Sequence, residues 1–166
     1  MKHLQLFESF ITERKNLGLI YHFTSMSGLE GILKEDTLTS VAFDYLSFTR
    51  NSRLNFSDYG IRITFDGDRM SDRFHFEPYL YDGKNWDRTI NLSPDKRRDL
   101  YGEEREERIL KKEIKNIVKY IERVDVLIGE DGLIDRHKKW FMELIQKHPD
   151  ISFYFVREFK TIKKAA

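Results

Sequence analysis

The spacing of apolar residues predicts three helices. Within residues 1–17, Leu, Phe and Ile recur at helical spacing, and the same spacing appears in residues 26–35 and 133–148. A period near 3.6 residues places these apolar side chains on one face of an amphipathic helix. Asp68 is also predicted to cap one further short helical turn, which runs through Met70.

Other stretches have the pattern of β-strands. Residues 61–65, IRITF, alternate between apolar and polar, as a half-buried strand does. Pro78 places its extended segment at the edge or end of a sheet, because proline cannot donate a ladder hydrogen bond. Residues 84–99 predict a long surface loop. The remaining predicted strands are 18–23, 42–51, 74–83, 124–128 and 151–156.

Composition indicates one globular α+β domain. The chain has 166 residues, of which 40% are hydrophobic and 14% aromatic, enough to fill a single core. No linker or repeat interrupts residues 1–166, and only residues 157–166 are expected to fray. We therefore predict a mainly strand-built centre with helices packed around it.

Charge and cysteine content exclude several classes of protein. There are 29 basic and 28 acidic residues, so the net charge of +1 provides no overall field to attract nucleic acid or a membrane. The absence of cysteine excludes disulfides, thiol nucleophiles and thiolate metal sites. No apolar run approaches the roughly 20 residues of a membrane span. A soluble, cytoplasmic protein without a membrane partner is expected.

Three polar clusters occur where predicted strands begin or end. They are YHFTS at 21–25, SFTRN at 47–51 and EEREERI at 103–109. If these strands are neighbours, an imidazole, hydroxyls with a guanidinium, and a carboxylate converge on one cleft. Taken singly, each cluster has an ordinary explanation: His22 as a partly buried core histidine, Arg50 as a surface cation, and the glutamates as solvated charges.

In this order the clusters resemble the ADP-ribosyltransferase-like superfamily, in particular its DNA-targeting toxins and RNA 2′-phosphotransferase-like proteins. The resemblance rests on YHFTSMSGLEGILKEDTL at 21–38, YLSFTRN at 45–51 and EREERIL at 104–110. It implies a single α+β domain with a central, mainly antiparallel split sheet and flanking helices. Residues 19–125 also look like uncharacterised proteins of tailed bacteriophages, which implies a role in the cytoplasm of an infected host cell.

The resemblance also implies chemistry on NAD as a substrate. Cleaving the glycosidic bond of NAD develops an oxocarbenium ion, which a carboxylate stabilises electrostatically. Glu106 is the candidate for this carboxylate, and Glu104 lies two residues earlier on the same strand face. Glu107 points to the opposite face of such a strand, so its position in the structure bears on the choice among the three.

The NAD-binding groups implied by the same resemblance come from the first two clusters. The planar fork of Arg50 would pair with the pyrophosphate. Tyr45 or Phe48 would stack on nicotinamide. His22 would hydrogen-bond the adenosine-side ribose through its imidazole. Thr24 or Ser47 would support the dinucleotide through a hydroxyl.

Other functions are compatible with these residues. A catalytically inactive protein of the same fold would inhibit a host defence or processing enzyme, and a nuclease would use His22 and Arg50. The acceptor of a transferase, whether protein, DNA or RNA, stays open. DGD at 66–68 lacks the rest of a calcium loop, so these carboxylates are interpreted as caps and no metal is expected. A basic surface for nucleic acid is a further possibility, formed by Arg50, Arg53, Arg62, Lys84 and Arg88 beside Tyr59, Tyr79 and Trp86.

Overall fold

A computed structural model describes residues 17–52, 60–79, 106–128 and 133–160 of the chain. The predicted N-terminal helix, the predicted loop at 84–99, Glu104 and the last six residues lie outside these ranges.

Helices and strands alternate irregularly along the described ranges. The strands are β1 (Leu19–Thr24), β2 (Thr37–Thr39), β3 (Leu46–Thr49), β4 (Ile61–Asp66), β5 (Glu77–Tyr79), β6 (Glu106–Ile109), β7 (Glu113–Lys115), β8 (Ile121–Leu127) and β9 (Ser152–Val156). The α-helices are α1 (Met26–Glu35), α2 (Gly67–Ser71) and α3 (Leu133–Lys147), and a 3₁₀ turn spans Val118–Tyr120. Within these ranges, no helix combines the length and apolar character that crossing a bilayer requires.

Seven of the described strands form one mostly antiparallel sheet in the order β5-β6-β3-β1-β4-β8-β9. Neighbouring strands are antiparallel except for β8 and β9, which are parallel. The short strands β2 and β7 pair separately as a two-stranded antiparallel sheet. The three strands that carry the polar clusters, β1, β3 and β6, are therefore consecutive neighbours. This sheet confirms the predicted α+β fold class.

Local signals set the ends of α1 and α2. Ser25 caps α1, because its hydroxyl accepts a hydrogen bond from the backbone N–H of Gly28 at 3.2 Å. Asp66 caps α2 by accepting from the backbone N–H of Arg69 at 3.1 Å. The prediction that Asp68 caps this turn is wrong: Asp68 lies inside the helix, and its carboxylate accepts from the backbone N–H of Gly18 at 2.8 Å.

One face of the large sheet is apolar and forms the core. Ile63 of β4 and Val124 of β8 are paired and fully buried. They belong to the same core cluster as Leu29 of α1 and Phe141 of α3. The two helices therefore cover this face, and their burial accounts for the apolar stripes that the sequence shows.

The opposite face of the sheet carries a buried charge. Arg62 of β4 is 1% exposed, and its Nη2 donates to the Asp125 carboxylate at 2.9 Å. Arg62 also donates to the backbone carbonyl of Lys160 at 3.0 Å. Its guanidinium lies 5.2 Å from the ring centroid of Tyr21 and 5.0 Å from that of Phe159. The prediction that Arg62 contributes to an exposed basic surface is wrong.

The predicted strand at 42–51 is shorter in the structure and begins at Leu46. The backbone N–H of Phe43 bonds the hydroxyl of Ser40 at 3.1 Å, which bends the chain before the strand starts. Residues 40–45 form a loop, here called the rim loop, in which Val41 is 95% exposed.

Candidate ligand-binding cleft

A cleft opens where β1 and β3 diverge. These two strands pair at Tyr21 and Thr49. One residue further along β1, the His22 imidazole takes up the next backbone carbonyl, with its Nδ1 3.1 Å from the carbonyl oxygen of Ser47. A side chain thus links β1 to β3 beside the position at which these two strands pair. This separation of the strands is the split expected from the resemblance.

A cavity of about 490 Å³ lies at this split. It is lined by four consecutive residues of β1, 21–24, by residues 39–43 and 45–49, and by Glu106 of β6. Side chains of consecutive strand residues alternate between faces, so four in a row line one cavity only where the strand edge is open. The volume is in the range typical of small-molecule sites.

His22 is held in one tautomer. The Ser47 carbonyl can only accept a hydrogen bond, so the Nδ1 atom of His22 carries the proton and Nε2 has a free lone pair. Burial lowers the pKa of His22 from its ordinary value of 6.5, against the opposing effect of the carbonyl contact. The imidazole is therefore neutral at physiological pH, and Nε2 can accept a hydrogen bond from a ligand hydroxyl.

Ser47 joins His22 to Glu106. Its hydroxyl donates to Oε1 of Glu106 at 2.6 Å, while its carbonyl accepts from His22. In the register of β3 and β6, Thr49 lies directly opposite Glu106, and Ser47 is the diagonal neighbour on the same face. Among the described residues, Glu106 is the acidic side chain that lines the cavity.

Glu107 has the opposite orientation. Its partner in the register is Phe48, and it is fully buried on the core side of the sheet. Alternation along β6 thus separates the two adjacent glutamates, as the strand period predicts.

Arg108 is a component of the site that sequence reasoning missed. Its Nε donates to Oε1 of Glu106 at 2.8 Å, and its Nη2 donates to Oε2 at 3.2 Å. The guanidinium carbon lies 3.9 Å from the ring centroid of Tyr45 and 3.2 Å from that of Tyr79. The alternation of Glu106 and Arg108 in EEREERI was the available signal, because residues two apart share a strand face.

Two of the predicted ligand-binding residues line the cavity from its edges. Thr24, at the end of β1, is 8% exposed, and its hydroxyl occupies space that a Cβ on Gly28 would fill. Tyr45 belongs to the rim loop and stacks on Phe43, with ring centroids 5.0 Å apart and an interplanar angle of 17°.

The remaining predicted residues are placed differently. Phe48 borders the cavity but is 2% exposed, and its ring packs edge-on against Phe65 and Phe76 in the core. It therefore lacks an open face on which nicotinamide could stack. Arg50 follows β3, is partly buried, and does not line this cavity. Glu104 falls outside the described residues.

The described residues contain no group of three or more His, Asp or Glu side chains placed to hold a metal ion. The carboxylates of Asp66 and Asp68 accept hydrogen bonds from backbone N–H groups.

Comparison with solved structures finds the same fold in DarT from Thermus sp. 2.9, whose structure is a complex with NAD⁺. The match has a TM-score of 0.52 and covers 88% of this chain and 98% of the DarT chain, at 12% sequence identity. No family model and no curated protein sequence matches the chain. At this identity the likeness shows the fold alone, and it agrees with the single α+β domain and mostly antiparallel sheet described above.

Proposed function

We propose that this protein is an NAD-dependent ADP-ribosyltransferase that binds NAD in the cleft between β1 and β3. One observation carries the proposal: Ser47 holds the Glu106 carboxylate with its hydroxyl and His22 with its carbonyl, at the edge of a cavity. The fold shared with DarT, whose structure contains NAD⁺, supports the same ligand.

In the proposed reaction, the bond between C1′ of the ribose and the nicotinamide nitrogen breaks. Nicotinamide leaves with the bonding electron pair, and positive charge develops on the ribose. An acceptor nucleophile then bonds to C1′ and loses its proton. Glu106 accepts a hydrogen bond from the ribose 2′-hydroxyl and stabilises the developing cation, because the carboxylate charge is already in place before the bond breaks.

Ser47 and His22 prepare the site for this step. The 2.6 Å hydrogen bond from Ser47 holds Oε1 of Glu106, and Oε2, which accepts one hydrogen bond from Arg108, has a second lone pair for the ribose hydroxyl. Neutral His22 accepts from a hydroxyl of the adenosine-side ribose through Nε2. Thr24 supplies a hydroxyl to the dinucleotide at the end of β1.

The other assignments follow from accessibility. Of Tyr45 and Phe48, Tyr45 is the partly exposed ring at the cavity, so it is the proposed aromatic contact of nicotinamide, through the part of the ring that Phe43 and Arg108 do not cover. Arg50, which does not line this cavity, remains the proposed partner of the pyrophosphate. Glu104, two residues earlier in the sequence, remains the second proposed carboxylate.

The proposed acceptor is a macromolecule of a host cell, since the sequence resembles proteins of tailed bacteriophages. Incubation of the protein with labelled NAD and host lysate identifies its class. Label that is removed by protease indicates a protein acceptor, and label that is removed by nuclease indicates DNA or RNA.

Glu106→Gln tests the catalytic assignment. We expect nicotinamide release to fall at least about 100-fold, the usual cost of removing a preorganised electrostatic contact, while NAD binding measured by calorimetry is retained. Glu104→Gln is measured alongside, and Glu113→Gln, an exposed glutamate on β7, is the matched control.

Each outcome separates the candidate functions. Wild-type protein that neither binds NAD nor gains thermal stability from it refutes the proposal, and a co-purifying host enzyme would then favour the inactive interaction protein. Undiminished turnover in Glu106→Gln refutes the assignment of this carboxylate. Cleavage of nucleic acid without NAD would identify a nuclease.

A further inference from the structure

We propose that Arg108 is a positioning residue that fixes the orientation of the Glu106 carboxylate and couples it to the rim loop. The inference rests on the proposed function, since the turnover that Arg108 would support is the one assigned to Glu106. It follows from three contacts of one guanidinium: the carboxylate of Glu106 and the rings of Tyr45 and Tyr79.

The hydrogen bond from Ser47 does not fix the carboxylate by itself. A single contact to Oε1 leaves the carboxylate free to rotate about that contact. The fork of Arg108 reaches both oxygens, at 2.8 and 3.2 Å, and therefore sets the plane of the group. The side chains of Arg108 and Glu106 are 17% and 13% exposed, so solvent screens this pair only partly.

The two tyrosines hold the guanidinium itself. Tyr45 and Tyr79 come from different parts of the chain and contact the same cation. Tyr45 is also stacked on Phe43 of the rim loop. A displacement of the rim loop therefore changes the support of Arg108, and through Arg108 the orientation of Glu106.

Tyr79 allows this role to be tested without touching the ligand. It lies on β5 and does not line the cavity, whereas Tyr45 does. An effect of Tyr79→Leu on catalysis must therefore pass through its neighbours rather than through a lost ligand contact.

The chain also contains a matched control. Arg123 donates to Asp125, again two residues away on one strand, at 2.7 Å, and its guanidinium lies 3.7 Å from the ring centroid of Tyr154. This group repeats the arrangement of arginine, carboxylate and tyrosine, but none of its members lines the cavity. Tyr154→Leu thus reports the general effect of removing a ring from such an arginine.

The experiment compares Arg108→Lys, Tyr79→Leu, the double variant and Tyr154→Leu in NAD hydrolysis. Arg108→Lys keeps the charge and loses the fork, so kcat should fall about 10- to 100-fold while KM changes little. Tyr79→Leu should also lower kcat. In the double variant, the loss of kcat should be smaller than the product of the two single losses, because both changes act through one guanidinium. Tyr154→Leu should leave kcat unchanged.

Other results would overturn the inference. A change confined to KM in Arg108→Lys would mean that Arg108 contacts the substrate directly. Fully multiplicative effects, or an equal loss in Tyr154→Leu, would indicate general destabilisation. Melting temperatures of all variants identify any that fail to fold.

A measurement without substrate separates this inference from the proposed function. The Nε–H proton of Arg108 in ¹⁵N–¹H spectra should be shifted downfield and slow to exchange in wild-type protein, and both properties should weaken in Glu106→Gln and in Tyr79→Leu. If NAD is not hydrolysed but these shifts occur, only the proposed function fails. If Glu106→Gln leaves the Nε–H signal unchanged, the positioning role fails even in an active enzyme.

Discussion

Removing Asp125 is expected to destabilise the protein more than removing its partner Arg62. Both side chains are buried, at 0% and 1% exposure, and they form an ion pair of 2.9 Å. After Arg62→Met, Asp125 retains the hydrogen bond from Nε of Arg123 at 2.7 Å. After Asp125→Asn, the Arg62 guanidinium keeps neutral backbone carbonyls as acceptors but has lost its counter-charge.

Breaking a buried ion pair so that one charge is left uncompensated costs about 3–5 kcal/mol. Asp125→Asn should reach this range, and Arg62→Met should cost less because Asp125 keeps a cationic partner. In a chain of this size, each kcal/mol corresponds to roughly 2–4 °C in melting temperature. We therefore expect Asp125→Asn to melt about 6–20 °C below the wild type.

The double variant Arg62→Met with Asp125→Leu should be more stable than the sum of its single changes predicts, because no uncompensated charge remains in the pair. Urea unfolding followed by circular dichroism gives these free energies, provided that the slope with denaturant stays constant. Lys115→Met removes one partner of the exposed pair with Glu113 and should cost less than about 1 kcal/mol. A loss in Arg62→Met equal to or greater than that in Asp125→Asn would refute the reasoning.

Two further predictions concern stability. Burial lowers the pKa of His22 from 6.5, so below about pH 6.5 the unfolded chain binds a proton here that the folded protein does not. The free energy of unfolding of the wild type, measured relative to that of His22→Gln, should therefore decrease as the pH falls below 6.5, by at most about 1.4 kcal/mol per pH unit. Urea titrations across pH 5–8 measure this difference. A difference that does not change with pH would contradict the prediction. Gly31→Ala, whose Cβ meets nothing within 4 Å, should stabilise α1 by about 0.5–1 kcal/mol, whereas Gly67→Ala, whose Cβ would lie 2.7 Å from the Gly18 carbonyl oxygen, should destabilise by about 1–3 kcal/mol. Thermal melts that show both changes with the same sign would refute the packing argument.

Elements with strong local signals were predictable from sequence. The helix α1 has a serine cap, a periodic apolar face and a left-handed residue, Asp36, at its end, and its observed bounds equal the predicted ones. The strands β2 and β7 were missed, because three-residue strands carry too little pattern. Their pairing, which joins Thr37 to Lys115, depends on the tertiary fold.

The candidate site was predictable where side chains end a strand or alternate along it. His22, Ser47 and Glu106 are brought together by the order of three adjacent strands. Which of Tyr45 and Phe48 is exposed at the cavity depends on where β3 begins, because Tyr45 precedes the strand whereas Phe48 lies within it and packs in the core. The pattern of the strand alone could not show this.

Arginines were the residues whose surroundings the sequence concealed. Arg62 follows the alternation of an exposed strand position, yet Phe159 and Lys160 cover it from almost one hundred residues away. The surroundings of Arg108 also depend on a remote residue, because its guanidinium packs on the ring of Tyr79, which lies on β5. The burial of a long, flexible arginine side chain depends on which distant residues cover its strand, and the local sequence pattern does not encode those residues.

The rim loop is held by contacts at both of its ends, and the residues between them are exposed to solvent. The backbone N–H of Ser40 bonds the carbonyl of Lys112 at 2.9 Å, and the ring of Tyr45 contacts Arg108. Residues 41–44 are exposed, so substitutions there leave the core packing intact. Natural drift or a directed-evolution library can therefore diversify these four positions at little cost in folding, which makes them the segment where new ligand preferences arise most easily.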